Sequence, residues 1–376
     1  MIIFINLVLV GEELINRSVV RLFMLTKFIK GFTQIKLPFL LLASLSYTAL
    51  AAEETSWQRV DISKKASLRG SAVSENSLWV SGSENTVFVS QDGGKTWFDR
   101  SVPFEQITDF RDIALFDENT AIVMGAGEGE KSVLYKTNDA GKTWQLLKQN
   151  TDAKGFYDSI AFWDEQNGLL LGDPVDGFYV VKKTQDGGKN WQRIAKLKLP
   201  ALFAKETAFA ASGNTIITGE NGQAWLATGG YSASVYYSAD FGESWERQTV
   251  LLFQETETAG SYALALNSKQ QAFVLGGDYK ERTGEYPNIA TYSDYIWQTV
   301  DAKQRGLRTA MSCIDAICIA TGKTSSDISD DHGVTWQAFD DATDVEDNRG
   351  FYTLASGESI FLAAGSDGKV AIYQAK

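Results

Sequence analysis

Four arginines are the residues of this sequence best suited to binding chemistry. They are Arg69, Arg111, Arg308 and Arg349. Each begins a short segment of alternating apolar residues, and Asp158 and Glu206 hold the same place in two further segments. A guanidinium group binds carboxylates through paired hydrogen bonds, so arginines gathered at one opening would form a site for an anionic group. The alternative is that each arginine pairs with a nearby acid and lines a solvated channel.

Acidic residues in glycine-rich segments are the nearest candidates for such pairing. They are Glu128, Glu130, Asp173, Glu220 and Asp278. We keep Asp173 with Asp158 and Glu206 as candidate binding residues. Isolated acids in turns are weak evidence for catalysis, and we assign no catalytic residue. His332 is the single histidine. Neither a metal site nor a cofactor is predicted.

Five octapeptides share the pattern Ser/Thr-x-Asp-x-Gly-x-Thr/Ser/Asn-Trp. They are SQDGGKTW at 90–97, TNDAGKTW at 137–144, TQDGGKNW at 184–191, SADFGESW at 238–245 and SDDHGVTW at 329–336. Their aspartates are Asp92, Asp139, Asp186, Asp240 and Asp331. Such an Asp can accept hydrogen bonds from the backbone of its own turn, the Gly tolerates positive φ, and the Trp supplies an apolar contact. We therefore predict a structural role for these five residues.

The spacing of these boxes predicts the fold. The aspartates lie 47, 47, 54 and 91 residues apart, and a shortened copy, YSDYIW at 292–297, divides the last interval. A repeat of this length with several short strands is typical of a four-stranded propeller blade. Innermost strands are expected near Arg69, Arg111, Asp158, Glu206, Ser261, Arg308 and Arg349. The sequence thus predicts an all-β, seven-bladed propeller of antiparallel blades with Asp-box turns.

The two ends of the predicted propeller complement each other. The seventh unit has no outer strand of its own, whereas WQRV at 57–60 matches the outer strand WQRI at 191–194. We expect the N-terminal strand to complete the last blade and close the ring.

One face of the ring should carry the function. The strand order places the starts of the innermost strands on the same face as the loops between second and third strands, and the Asp boxes on the other. Two long segments on the first face, 220–234 and 277–291, contain Trp225, Tyr231, Tyr279 and Tyr286. These aromatic residues could contact a partner, or they could pack on each other over the channel.

The N-terminal region has the sequence features of a targeting segment. Basic residues precede an apolar run and an Ala-Leu-Ala sequence at 49–51, so residues 24–51 are predicted to be a signal peptide. Residues 1–23 would then be an upstream extension from a start codon assigned too early, and 52–376 the propeller. An N-terminal membrane anchor is the alternative for the first residues. We expect an exported protein, periplasmic or secreted.

The net charge and the cysteines give two further expectations. The net charge is −12, which argues against nucleic acid. The only cysteines, Cys313 and Cys318, flank a predicted hairpin turn. They could form a disulfide in an exported protein, or remain two small buried residues.

The chain resembles two families of Asp-box propellers. It is more distantly similar to sialidases, but it lacks their Arg-Ile-Pro segment and departs from their six blades. It is more similar to the photosystem II stability/assembly factor family. The residues that carry this resemblance are DGGKTW at 92–97, DFRDI at 109–113, GDP at 172–174 and GENG at 219–222. That family has an arginine-rich patch on one face, to which Arg69, Arg111, Arg308 and Arg349 could correspond.

The resemblance implies a non-enzymatic binding or assembly scaffold. We expect a monomer whose arginine-lined face binds an acidic or carboxylate-bearing segment of a protein partner, with a membrane-protein complex as one candidate. A sialidase-like or other glycoside hydrolase is the alternative function, and it would use acids such as Asp173 or Glu206.

Overall fold

The computed structural model of the protein describes residues 57–210, 213–302, 305–340 and 350–375. These residues form seven four-stranded antiparallel sheets, which confirms the predicted seven-bladed propeller. The predicted extension and signal peptide lie outside the described residues, as does Arg349. In the described part of the chain, no helix has the length and apolar character needed to span a membrane.

The strands follow one another blade by blade, beginning with β1 (Gln58–Asp61), which belongs to the last blade. Blade one contains β2 (Leu68–Ser74), β3 (Ser77–Gly82), β4 (Val87–Ser90) and β5 (Phe98–Asp99). Blade two contains β6 (Asp109–Leu115), β7 (Ala121–Ala126), β8 (Val133–Thr137) and β9 (Gln145–Gln149). Blade three contains β10 (Tyr157–Phe162), β11 (Gly168–Val175), β12 (Phe178–Thr184) and β13 (Gln192–Arg193).

The remaining blades repeat this order. Blade four contains β14 (Ile216–Thr218), β15 (Ala224–Thr228), β16 (Ser234–Ser238) and β17 (Glu246–Thr249). Blade five contains β18 (Ala259–Leu266), β19 (Ala272–Asp278), β20 (Ile289–Ser293) and β21 (Ile296–Thr299). Blade six contains β22 (Ala310–Ile314), β23 (Ile317–Thr321), β24 (Ser326–Ser329) and β25 (Gln337–Ala338). Blade seven contains β26 (Thr353–Ser356), β27 (Ile360–Ala364) and β28 (Lys369–Gln374) together with β1. Short 3₁₀ turns occur at Gly129–Lys131, Lys196–Lys198, Glu220–Gly222 and Ser366–Gly368.

The N-terminal strand closes the ring, as predicted. Strand β1 pairs with β28, and Arg59 lies opposite Ala371. The preceding Trp57 lies edge-on to three rings, at centroid distances of 5.1, 5.2 and 6.4 Å. These rings belong to Phe339, Phe351 and Tyr373. Its indole N–H also donates to Ser326 Oγ of blade six, so the closing strand contacts two blades.

The core lies between the blades. Second strands are buried on both faces because each blade packs against two neighbours, and β3, β7 and β27 contain only buried residues. Outer strands such as β5 and β13 are exposed. The inner strands of successive blades contact one another, and β26 contacts β2 where the ring closes.

The Asp boxes form the hairpins between third and fourth strands. In the first box, Asp92 Oδ1 accepts hydrogen bonds from the backbone N–H groups of Lys95 and Thr96, at 3.0 and 2.9 Å. Thr96 Oγ1 donates to Asp92 Oδ2 at 2.6 Å. Gly94 has φ of 88°, and the Trp97 indole N–H donates to its carbonyl. Both carboxylate oxygens of Asp92 therefore accept hydrogen bonds from its own turn.

The other boxes repeat this geometry, with the equivalent hydroxyl or amide donor 2.6 to 2.7 Å from Oδ2 of Asp139, Asp186, Asp240 and Asp331. The Thr side-chain hydrogen bonds lower the pKa values of Asp92 and Asp139 to about 2. Such carboxylates remain ionised acceptors and are unsuited to proton transfer.

Blade four departs from the predicted boundaries. Its regular innermost strand begins at Ile216 rather than near Glu206, although Thr207 still bridges to Gly229. Segment 220–234 is therefore not one long loop, because it contains β15. Trp225 of that strand is buried between blades, and Tyr286 of the second long segment is also buried, stacked on Phe253. Tyr231 and Tyr279 remain exposed.

Candidate functional site

A cavity of about 480 Å³ opens at the centre of the predicted functional face. All seven blades contribute to its lining, as expected for the mouth of the central channel. The charged residues of the lining are Arg69, Arg111, Asp158, Asp173, Arg282 and Lys323. The aromatic residues are Phe156, Phe209, Tyr262, Tyr279 and Tyr352.

The same backbone irregularity positions the lining residue in four blades. The strand partners of Leu68 and Gly70 are consecutive residues, so Arg69 is an extra residue in β2. Arg111, Asp158 and Tyr262 are the extra residues of β6, β10 and β18. A β-bulge of this kind turns one side chain out of the normal alternation. Here it turns four side chains into one cavity.

Arg308 does not line this cavity. Its chain neighbours Leu307 and Thr309 do, and the Thr309 N–H donates to the carbonyl of Thr321. Successive residues of extended chain point to opposite sides, so the neighbouring Arg308 is directed into the blade. In blade seven, the lining residue is Tyr352. The predicted gathering of arginines therefore holds for Arg69 and Arg111, while Arg349 lies outside the described residues.

Arg308 instead belongs to a buried ion-pair cluster. Its side chain is fully buried, and Nε donates to Oδ2 of the equally buried Asp327 at 2.7 Å. Arg305 Nη1 donates to the other oxygen of that carboxylate at 2.8 Å. Both oxygens of Asp327 are thus paired with guanidinium groups, which explains how blade six accommodates buried charges.

Glu206 is also directed into its blade. Its carboxylate accepts hydrogen bonds from Thr228 Oγ1 at 2.6 Å and from the Phe203 N–H at 2.7 Å. Arg247 Nη1 lies 3.4 Å from Oε2. These contacts fasten segment 203–206 to blade four and leave Glu206 away from the cavity.

The two arginines of the cavity are held by one acid and one ring. Arg111 Nε donates to Asp109 Oδ2 at 2.9 Å, and its Nη1 donates to the Ala210 carbonyl at 2.8 Å. Arg69 Nε lies 3.7 Å from the same Asp109 oxygen, and its guanidinium group lies over the Tyr352 ring. Burial, and then repulsion by Arg111, lowers the pKa of Arg69. The carboxylate of Asp109 thus contacts both guanidinium groups of the cavity.

Two acids lie on another side of the cavity. Asp158 is only 2% exposed, and its buried Oδ2 has no hydrogen-bond partner among the described residues. Burial, followed by repulsion from Asp173, raises the pKa of Asp158 well above its usual value. Burial and nearby Glu128 raise the pKa of Asp173. Asp158 is therefore a polar group at the cavity with unused hydrogen-bonding capacity.

Aromatic residues form the remaining wall. Phe209 and Tyr262 are stacked with centroids 4.3 Å apart, and Tyr279 lies edge-on to Phe209 at 6.5 Å. Tyr279 is 49% exposed at the rim. This wall offers apolar contact beside the charged groups.

Sequence reasoning missed several of these residues. Arg282 and Lys323 lie in loops between second and third strands, where neither regular spacing nor a motif marks them. Tyr352 could have been found only with the correct register of the seventh inner strand. Among the residues that the structure describes, no group of three or more His, Cys, Asp or Glu side chains could hold a metal ion.

The two cysteines lie away from this site, in blade six. Cys313 of β22 and Cys318 of β23 face each other across the hairpin and are joined by a disulfide. The bond links two strands that are already paired.

Comparison with known proteins identifies the repeat and the fold. The model of the BNR/Asp-box repeat matches residues 236–247. A solved structure described as YCF48 bound to D1 peptide has 16% sequence identity and a TM-score of 0.63, with 85% of this chain and 96% of that chain covered. YCF48 from Cyanidioschyzon merolae has 17% identity and a TM-score of 0.60, with 85% and 99% covered.

An enzyme has a comparable fold. The GH74 enzyme of Niastella koreensis has 12% identity and a TM-score of 0.58, with 84% of this chain and 53% of that chain covered. No curated protein matches the sequence. The predicted resemblance to photosystem II assembly factors is thus confirmed in fold by the YCF48 structures. At these identities the likeness concerns the fold alone.

Proposed function

We propose that this protein is an exported, non-enzymatic scaffold that binds a carboxylate-bearing segment of a partner protein in its central cavity. The observation that carries the proposal is the pair of bulges that turns Arg69 and Arg111 to the same cavity, where both contact Asp109. Preformed, partly buried guanidinium groups bind carboxylates more strongly than exposed ones do.

The size and composition of the cavity suit a peptide segment. A volume of about 480 Å³ holds a few side chains, and the aromatic wall adds apolar contact beside the charged groups. The solved complex of a YCF48 with D1 peptide, on the same fold, supports a peptide as the ligand class.

Peptide mixtures test this proposal. The immobilised chain is incubated with two mixtures of seven-residue peptides, one with a fixed central Glu and one with a fixed central Gln. We expect the Glu mixture to be retained about tenfold more, because a charged hydrogen bond contributes about 1.5 to 3 kcal/mol. The double variant R69Q/R111Q should lose this preference. Equal retention of both mixtures by the native chain would refute the proposal.

A matched control separates the cavity from overall charge. Arg193 and Lys189 are exposed on the outside of blade three. The double variant R193Q/K189Q loses the same two positive charges, and it should retain the Glu mixture as the native chain does. If both double variants lose the preference equally, binding depends on net charge and not on this cavity.

Export is supported by the disulfide in blade six. Disulfides persist in oxidising compartments, so Cys313–Cys318 fits a periplasmic or secreted protein. The mass and N-terminal sequence of the protein purified from its host would test the predicted cleavage after residue 51. A chain recovered from the cytoplasm with residues 24–51 intact would contradict export.

The second candidate function is glycoside hydrolysis. It is favoured by one observation, the two neighbouring carboxyl groups of Asp158 and Asp173 with raised pKa values in a cavity. Glycoside hydrolases use a pair of carboxyl groups, one of them with a raised pKa. Hydrolysis of a chromogenic glycoside panel that disappears in D158N and D173N would establish this function in place of the scaffold.

A further inference from the structure

The acids of the central cavity lie on one blade, and two of its cations, Arg282 and Lys323, lie on other blades. Asp158 and Asp173 lie on blade three, whereas Lys323 lies on blade six, which is as far from blade three as a seven-membered ring allows. Arg282 lies on blade five, in the loop between its second and third strands. The acids and these two cations therefore face different parts of the same cavity.

Neither set is neutralised within the protein. Asp158 and Asp173 form no ion pair among the residues that the structure describes, and neither does Arg282. Lys323 contacts the Tyr352 ring through its ammonium group, at 5.7 Å, and forms no ion pair in the described parts of the chain. Exposed charges can remain unpaired in water at little cost, but Asp158, which lines the cavity, is 98% buried, and its Oδ2 has no hydrogen-bond partner among the described residues.

We propose that the cavity is a dipolar site that takes a peptide segment with a cationic and an anionic side chain close together. A lysine or arginine of the ligand would bind Asp158 and Asp173, and a glutamate or aspartate would bind Arg282 and Lys323 on the other side of the cavity. This inference rests on the proposed function, since it specifies the peptide that the same cavity binds.

The electrostatic surroundings of Asp158 support a cation at this position. Asp173 of the same blade opposes its ionisation, whereas Arg111 of blade two favours it. Tyr179, also of blade three, lies near Asp158, Asp173 and Glu206 of blade four. The repulsion of Asp158 by Asp173 thus outweighs its attraction to Arg111. A bound ammonium or guanidinium group would relieve their repulsion and stabilise the ionised form.

Binding would therefore release a proton. Burial holds the pKa of Asp158 above its usual value in the free protein, and a cationic ligand requires the ionised carboxylate. The affinity should rise as the pH is raised, until Asp158 is ionised without the ligand. A ligand that used the protonated acid as a hydrogen-bond donor would show the opposite trend.

Two peptide mixtures test the dipolar site on the full chain. One has Lys and Glu fixed two positions apart, and the other has Gln in place of Lys. We expect the Lys–Glu mixture to bind the native chain at least tenfold more tightly than the Gln–Glu mixture. D158N should reduce this advantage to less than twofold. The control D176N alters an exposed acid of the neighbouring hairpin and should keep the full advantage.

Each outcome decides between the proposals. If the native chain binds both mixtures equally, or if D158N keeps the advantage, the dipolar site is wrong while the carboxylate scaffold stands. If neither mixture binds, both proposals fail. The pH dependence of Lys–Glu binding by the native chain needs no variant, and an affinity that falls from pH 5 to pH 8 would overturn the inference.

Discussion

The carboxyl group of Asp112 joins the inner strands of three blades. Its Oδ2 lies 2.7 Å from the Ile160 N–H and 2.8 Å from Ser159 Oγ, both in β10. The same Ser159 oxygen lies 2.5 Å from the carbonyl of Gly213, in the chain leading to β14. A hydroxyl group has only one proton to donate, so the two acceptors compete for it. Protonated Asp112 removes this conflict by donating to Ser159 Oγ, which then donates to Gly213.

The pH dependence of stability should reveal this proton. Burial raises the pKa of Asp112 to about 7, above the value in the unfolded chain. Its contribution to stability is therefore fully present below the pKa of the unfolded chain, and it is lost as the pH rises from that value to about 7. We expect D112N to flatten the fall in the free energy of unfolding between pH 5 and pH 8, measured by urea denaturation. An unchanged slope would show that Asp112 is ionised throughout.

The register of the inner strands determines which residues of the cavity could be predicted from the sequence and which could not. Arg69 and Arg111 line the cavity because each is the extra residue of a bulged strand, and their role in binding stays a prediction. Arg308 precedes the corresponding position by one residue, and one residue is enough to turn a side chain from the channel into the blade. The alternation of apolar residues in a sequence cannot locate a β-bulge, because the extra residue interrupts the two-residue period of the strand.

At the scale of the element, the Asp box holds its turn through hydrogen bonds donated to one carboxylate. Asp331 accepts bonds from the N–H groups of Val334 and Thr335 and from Thr335 Oγ1. The degenerate hairpin of blade five holds Asp294 and Tyr295 at positive φ, and Asp294 forms no side-chain hydrogen bond among the described residues. The same hairpin can thus be made in two ways.

This difference predicts unequal effects of the same substitution. D331N removes the charge and one acceptor for the turn, and we expect it to lower the free energy of unfolding by about 1 to 2 kcal/mol. D294N should change it by less than about 0.5 kcal/mol, because Asn tolerates positive φ and no bond is lost. Denaturant titration of both variants provides the comparison. Equal losses of unfolding free energy in D331N and D294N would mean that the hydrogen bonds of the box aspartate do not stabilise the hairpin.

The boxes made the hairpins predictable, but they did not determine where each inner strand begins. Blade four shows why. The segment with Glu206 has the composition of a strand, yet hydrogen bonds to Glu206 fasten it outside the regular sheet. The start of the inner strand of blade four thus depends on contacts of Glu206 with residues such as Thr228, which is 22 positions later in the chain. The local spacing of residue types does not predict such contacts.

At the scale of the molecule, the first strand keeps the ring closed. Without β1, strand β28 would become an unpaired edge, and the contacts of Trp57 with blades six and seven would be lost. Exposed edges pair with other chains. A chain beginning at residue 62 should therefore unfold at lower temperature and aggregate as its concentration increases. A chain beginning at residue 52 is the control, and equal melting temperatures would show that closure contributes little.

The ring also determines which surface can bind. It directs Tyr279 to the rim of the cavity and Tyr295, which is 91% exposed, to the box hairpin of the same blade on the opposite face. A photoreactive phenylalanine analogue placed at either position reports whether a bound peptide is near. The most direct test is to cross-link the retained Glu-containing peptides to each variant and to quantify the adducts. Binding in the central cavity predicts adducts at position 279 and none above background at 295, whereas equal labelling, or labelling at 295 alone, would contradict it.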